Sequence, residues 1–129
     1  MIYLLDSDIL MDFFKKKEYA LQLIKDLVNK KSRLTISILS VTELRLGWTK
    51  EQANHLLPNL YDLVQVLSVD KIVAELAGKF RQEYKTHGIT LSTIDTLIAA
   101  TAILEKCQLV TRNQKDFPMP EIKLYPIGE

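Results

Sequence analysis

The chain is predicted to fold as an α/β domain, a three-layer α/β/α sandwich around a central, mostly parallel sheet. Short apolar or β-branched runs alternate along it with longer segments of helical periodicity, the pattern of a parallel sheet covered by helices. The helical segment 94–107, "IDTLIAATAILEKC", is apolar on most of its faces, as a helix packed inside a layered domain is. The length of 129 residues and the 47% apolar content fit one compact domain, residues 1–129. A chain of that size hides roughly two thirds of its unfolded surface on folding.

The elements follow in order. Met1 to Leu5 is an apolar run and reads as a buried strand, with Ile9 to Phe14 as a short helix after it. In "EYALQLIKDLVNK" (18–30), Ala20, Leu23, Ile24, Leu27 and Val28 share one helical face. "RLTISIL" (33–39) reads as a second buried strand, followed by helices over 40–48 and 51–63. Pro58 strains or ends the second of these, because proline removes a helical donor. "VQVLSV" (64–69) is β-branched and strand-like. Ile72, Val73, Leu76, Ala77 and Phe80 define the longest helix, which Gly88 ends. After helix 94–107 comes a short strand, "QLVT" (108–111). Pro118 and Pro120 then interrupt the chain before "IKLYPI" (122–127), a candidate edge strand.

Composition excludes several function classes. The 17 basic and 16 acidic residues nearly cancel, so no overall field points to a nucleic acid or a membrane, and recognition must come from local arrangement. The single cysteine, Cys107, has no internal disulfide partner, which fits a reducing compartment; the cytoplasm is the expectation. No apolar run reaches the roughly 20 residues a membrane span needs, and the start lacks a signal peptide's basic flank.

Sites in open α/β sheets lie beyond the carboxyl ends of the strands. The residues expected there are acidic. Asp6 follows the first strand, Glu43 lies on the helix after the second, Asp95 begins the helix before the fourth, and Asn113 and Asp116 follow the fourth. Each has a plain reading as well. Asp6 and Asp8 fit helix caps, Glu43 and Asp95 complete S-x-x-[ED] capping boxes with Ser40 and Ser92, and Asp116 reads as a loop charge. Their conjunction changes the argument: close carboxylates repel by about 4 kcal/mol per pair at 4 Å and an effective dielectric near 20, so a cation must offset them. A magnesium-like ion suits oxygen donors and phosphate substrates. His55 and His87 read as helix-face and helix-end residues, and Cys107 stands alone, so soft-ligand metals are disfavoured.

Four blocks in order, "LLDSDILMD", "ISILSVTELRLGW", "STIDTLIAATA" and "LVTRNQKDF", resemble the PIN-domain proteins, specifically the toxin ribonucleases of VapC type. The resemblance implies a small Rossmann-like domain that cuts RNA with magnesium or manganese. The family's three acids fall on Asp6, Glu43 and Asp95, and the fourth position on Asn113, Asp116 or both. Ser7 and Thr111 match small hydroxyl positions near the metals. Asp8 departs from the pattern, since relatives more often carry asparagine there. Asp6, Glu43 and Asp95 are thus the expected ligands, and Asp116 completes a second metal site or orients the attacking water. Asn113 is an orienting amide. Arg45, Arg112 and Lys115 are the candidate phosphate contacts, Arg112 foremost, and Lys15, Lys16 and Lys17 read as exposed helix-end charge. The resemblance also implies a small cognate antitoxin and a homodimer. Leu44, Leu46, Trp48, Leu56, Leu57, Leu60 and Tyr61 are candidates for an apolar contact surface, with core packing favoured for most of them.

Two other classes stay open. "DSD" after a strand also fits an aspartate-nucleophile phosphatase, with Asp6 as nucleophile and Asp8 as acid, although Glu43 and the "STIDTLIAATA" block then lack a role. The third is a noncatalytic nucleotide- or protein-binding domain. Against nucleotide binding, Gly47, Gly78, Gly88 and Gly128 are isolated and form no phosphate cradle.

Overall fold

The structure, a computed structural model, describes residues 1–127. Five parallel strands form one sheet in the order β3-β2-β1-β4-β5, with β1 at Ile2–Leu5, β2 at Arg33–Ser37, β3 at Gln65–Leu67, β4 at Gln108–Val110 and β5 at Lys123–Leu124. From β1 the chain winds outward through β2 and β3, then returns to lay β4 on the other side of β1. The strand order therefore reverses between β1 and β4, where two loops leave in opposite directions and open a crevice at their carboxyl ends. Six α-helices cover the sheet: α1 (Ser7–Phe14), α2 (Glu18–Asn29), α3 (Ile38–Leu46), α4 (Lys50–Leu63), α5 (Lys71–Lys85) and α6 (Thr93–Leu104).

Strand alternation divides the core. Tyr3 and Leu5 of β1 pack with Ile9, Leu10, Ile24, Leu27, Ile36, Leu44, Trp48 and Leu60 on the face covered by α1 to α4. Leu4, between them, points the other way and meets Phe80, Ile98, Ala99 and Leu109 beneath α5 and α6. Burial on both faces explains why β1 and β4 read as continuous apolar runs. Thr35, fully buried in β2, satisfies its hydroxyl by donating to the Tyr3 carbonyl at 2.8 Å.

Several expected boundaries and faces shift, each for a local reason. The helix after β2 starts at Ile38, not Ser40, because Ser37 is its cap and accepts the Leu39 N–H at 3.2 Å. Ser40 lies inside that helix, so Ser40 and Glu43 form no capping box. Helix α4 continues through Pro58 to Leu63. Pro58 and Asn54 are both exposed, so water can solvate the Asn54 carbonyl that loses its donor. A complete capping box formed by Thr49 and Gln52 anchors the start of the same helix. Val28 and Ile72, expected on buried faces, are 50% and 62% exposed at the margins of their stripes. Gly88, at φ +75°, takes the left-handed turn after α5, as expected of the residue that ends it. The last strand shrinks to Lys123–Leu124 and is an edge strand.

Candidate functional site

Asp6 is the first residue past β1 and sits in the crevice where the strand order reverses. Its N–H donates to the Val110 carbonyl at 2.9 Å, which extends the β1–β4 ladder by one bond and fixes its position. Extended backbone at Asp6 makes it the cap of α1: one carboxylate oxygen accepts the Ser7 N–H at 2.9 Å, and the other accepts the Thr111 hydroxyl at 2.9 Å. Asp6 is only 7% exposed. Burial, then the negative charge of Asp8 and more weakly that of Glu43, push its pKa up to about 7 despite those two donors.

Ser7 ties two elements together, since its hydroxyl donates to Glu43 at 3.2 Å while its amide serves Asp6. Glu43 is thereby brought from α3 to the start of α1. Asp8 turns toward the strand β4 loop, accepting the Ile9 N–H at 2.8 Å and the Arg112 N–H at 2.9 Å. Burial raises its pKa and these two amides only partly offset it. Thr111, wholly buried, links the loop to Asp6 and also accepts the Asn113 N–H at 3.1 Å.

Asp95 and Asp116 form a second acidic group. Asp95 lies in the first turn of α6, where the cap Ser92 accepts its N–H at 3.0 Å. That is half of the expected capping box and leaves the carboxylate available for other partners. Asp116 ends a single 3-10 turn, Gln114–Asp116. The two acids line one depression of about 250 Å³ together with Lys115 and Ser92. Burial, tempered by the Ser92 hydroxyl, and then the charge of Asp116 raise the pKa of Asp95.

The expected residues thus gather as two groups, Asp6–Asp8–Glu43 and Asp95–Asp116, along the carboxyl edge of the sheet. Among the described residues no three His, Cys, Asp or Glu side chains stand close enough together to clasp a metal ion as placed. The donor chemistry nevertheless fits a hard divalent ion. All five groups are carboxylates, and neither ion pair among the described residues involves any of them. For Asp6, Asp8 and Asp95, burial first and neighbouring acids second raise the pKa, as expected of carboxylates with no counter-ion beside them. Soft donors are elsewhere: His55 and His87 are exposed on α4 and after α5, and Cys107 is buried against the sheet.

Asp12 escaped the sequence reading of the site. It accepts from the Tyr19 hydroxyl and pairs with Lys17 at 3.2 Å and Arg112 at 3.6 Å, while the Arg112 guanidinium lies 4.9 Å from the Tyr19 ring centre. Burial pushes its carboxyl up, but the bonds from Tyr19 and Lys17 outweigh this and hold it below its ordinary value. Its spacing was the available signal, because Asp8 and Asp12 are one helical turn apart. Lys17 is exposed at a helix end as expected and also pairs with Asp12, and Arg112 leans on α1. Arg45 donates to the Trp48 carbonyl at 3.0 Å and ties the end of α3.

A parallel sheet with carboxylates gathered at its strand-order reversal defines a family as well as a geometry. The family described as PIN domain matches residues 3–120, and the chain belongs to it. It is similar to Ribonuclease VapC19 of Mycobacterium tuberculosis, 29% identical over 116 residues that cover 90% of this chain and 92% of the relative. Ribonuclease VapC2 of Rickettsia felis is 29% identical over 121 residues, covering 91% and 90%. Among solved structures, a chain of VapBC2 from Rickettsia felis, bound to a DNA fragment from its promoter, superposes with a TM-score of 0.84 at 27% identity, covering 97% of this chain and 98% of that one.

Proposed function

We propose that this protein is an endoribonuclease toxin of the VapC type, dependent on a divalent ion and restrained by a cognate antitoxin. One observation carries the reading: a buried, counter-ion-free carboxylate, Asp6, held at the β1–β4 reversal with Glu43 and Asp8 beside it and Asp95 and Asp116 along the same edge. Asp6, Glu43, Asp95 and Asp116 would hold magnesium or manganese. When bound, such an ion neutralises phosphate charge and acidifies water for in-line attack on phosphorus. The chain's own residues prepare that chemistry. Ser7 and Thr111 fix the carboxylates of Glu43 and Asp6, and each Asp6 oxygen keeps a free lone pair beyond its one hydrogen bond. Asn113 orients the strand β4 loop through Thr111, and its exposed amide faces solvent for substrate. Arg112 and Lys115 offer charge to the RNA backbone beside the acids.

The relatives support the partner. The relatives are ribonucleases, and the Rickettsia felis structure is of VapBC2 bound to DNA. In this chain Leu46 is 87% exposed, with Tyr61 and Ile38 also exposed, so apolar surface is available to an antitoxin or to a second copy of the chain in a homodimer. Trp48, Leu44 and Leu60 are core residues and take no part. The aspartate-nucleophile reading is weaker, because both Asp8 oxygens accept backbone amides, which holds Asp8 in place rather than free to act as an acid, and Glu43 and Asp95 have no role in it.

The test is cleavage of total cellular RNA by the purified protein, before and after chelation and with magnesium or manganese restored. Defined cuts that chelator abolishes and the ion restores are expected, with Asp95→Asn at least about 100-fold slower and normally folded. Cleavage indifferent to chelator would overturn the metal dependence. A folded wild type that cuts no RNA would overturn the nuclease reading.

A further inference from the structure

The acidic depression at Asp95 and Asp116 is the middle of a longer track. On one side it shares Ile89, Thr90 and Leu91 with a groove of about 600 Å³ along α5, lined also by Arg81, Gln82 and Lys85. On the other it shares Lys115 with a depression of about 500 Å³ at Arg112, Asn113 and Gln114. Charge along this strip runs basic, acidic, basic.

We propose that the α5 groove holds the RNA backbone next to the cleavage point, with Arg81 and Lys85 contacting phosphates that flank the one at the acids. This rests on the nuclease reading and names the surface that reading leaves unassigned. No carboxylate lines the groove, and among the described residues neither Arg81 nor Lys85 has one within ion-pair distance. Arg81 is also pre-positioned. Its Nε donates to the Leu91 carbonyl at 3.1 Å and one terminal nitrogen donates to the Thr93 hydroxyl at 2.9 Å, two residues before Asp95. Two of the five guanidinium N–H groups are thus used to brace the entry to α6, and the other three remain for a phosphate. A strand whose reacting phosphate lies against carboxylates needs cations for its neighbours, and this groove places them beside Asp95 on a rigid helix. Lys85, one turn beyond Arg81 on the same face of α5, extends the cationic line.

The experiment measures binding of a labelled single-stranded RNA of random sequence, with magnesium present, in the Asp95→Asn background so that the strand survives. Lys85→Glu is compared with Lys79→Glu, an equal charge change on α5 at an exposed position outside the groove. Adding Lys85→Glu should weaken binding about tenfold and flatten the log–log salt dependence by about 0.7, the increment for one phosphate contact on a single strand. Adding Lys79→Glu should change neither. If both substitutions act alike, or Lys85→Glu leaves affinity and salt slope unchanged while the wild type still cuts RNA, the groove assignment is wrong and the nuclease reading stands. If the wild type neither binds nor cuts RNA, both fall.

Discussion

At Asp6, burial outweighs hydrogen bonding in deciding the protonation state. Its pKa rises from 3.8 to about 7 on folding, so the native chain binds a proton that the unfolded chain has released over that window. Stability without divalent ion therefore falls as pH rises from about 4 to about 7, by at most roughly 4 kcal/mol from this group. Asp6→Asn removes the effect. Chemical denaturation in chelator should find the variant more stable than wild type at pH 8, with the gap closing toward pH 4; a gap independent of pH would contradict the assignment. Asp12 behaves in the opposite sense, because its lowered pKa stabilises the fold above its unfolded value and loses that contribution as pH falls. Asp12→Asn should cost about 1 kcal/mol near neutrality and release Arg112, which a change in the Tyr19 fluorescence environment would report. The places of Asp6 and Asp95 were legible because one follows β1 and the other opens α6, whereas Glu43, in the body of α3, was placed only by its helix following β2. Asp12 was not, because its role depends on Tyr19 and Arg112, and the fold brings Arg112 to it from the far side of the sequence.

Among the elements, α3 and α4 separate what pattern can and cannot reveal. Two serines and a threonine in "SILSVTE" all qualify as caps, and only strand pairing selects Ser37, which closes the β2–β3 register opposite Leu67. The shift matters for the site, since it puts Glu43 in the body of α3, where Ser7 can reach it. Periodicity found the buried stripe of α5 through Val73, Ala77 and Phe80 but could not see that the stripe stops short of Ile72. Pro58 shows tertiary packing overriding propensity: Ala53 and Leu60, buried on either side of it, hold α4 continuous. Pro58→Ala restores the missing donor toward Asn54 and should stabilise the protein by about 2 kcal/mol in urea melts. An unchanged midpoint would mean that the helix already relaxes around the ring.

For the whole molecule, topology concentrates charge that composition conceals. A net charge of +1 gave no direction, yet the parallel order β3-β2-β1-β4-β5 brings acids from four separate chain segments to one edge and leaves cations on either side. The alternation of strands and helices was enough to foresee the layers. The strand order was not foreseeable from it, because nothing in a buried apolar run says which neighbour it will take. That order decides where Asp6 and Thr111 meet. The most direct test is calorimetric titration of manganese into the purified wild type between pH 6 and pH 8. The expected result is saturable uptake with proton release that fades as pH passes about 7, and marked weakening in Asp6→Asn. Absence of heat in a folded wild type, or uptake that Asp6→Asn leaves intact, would contradict it.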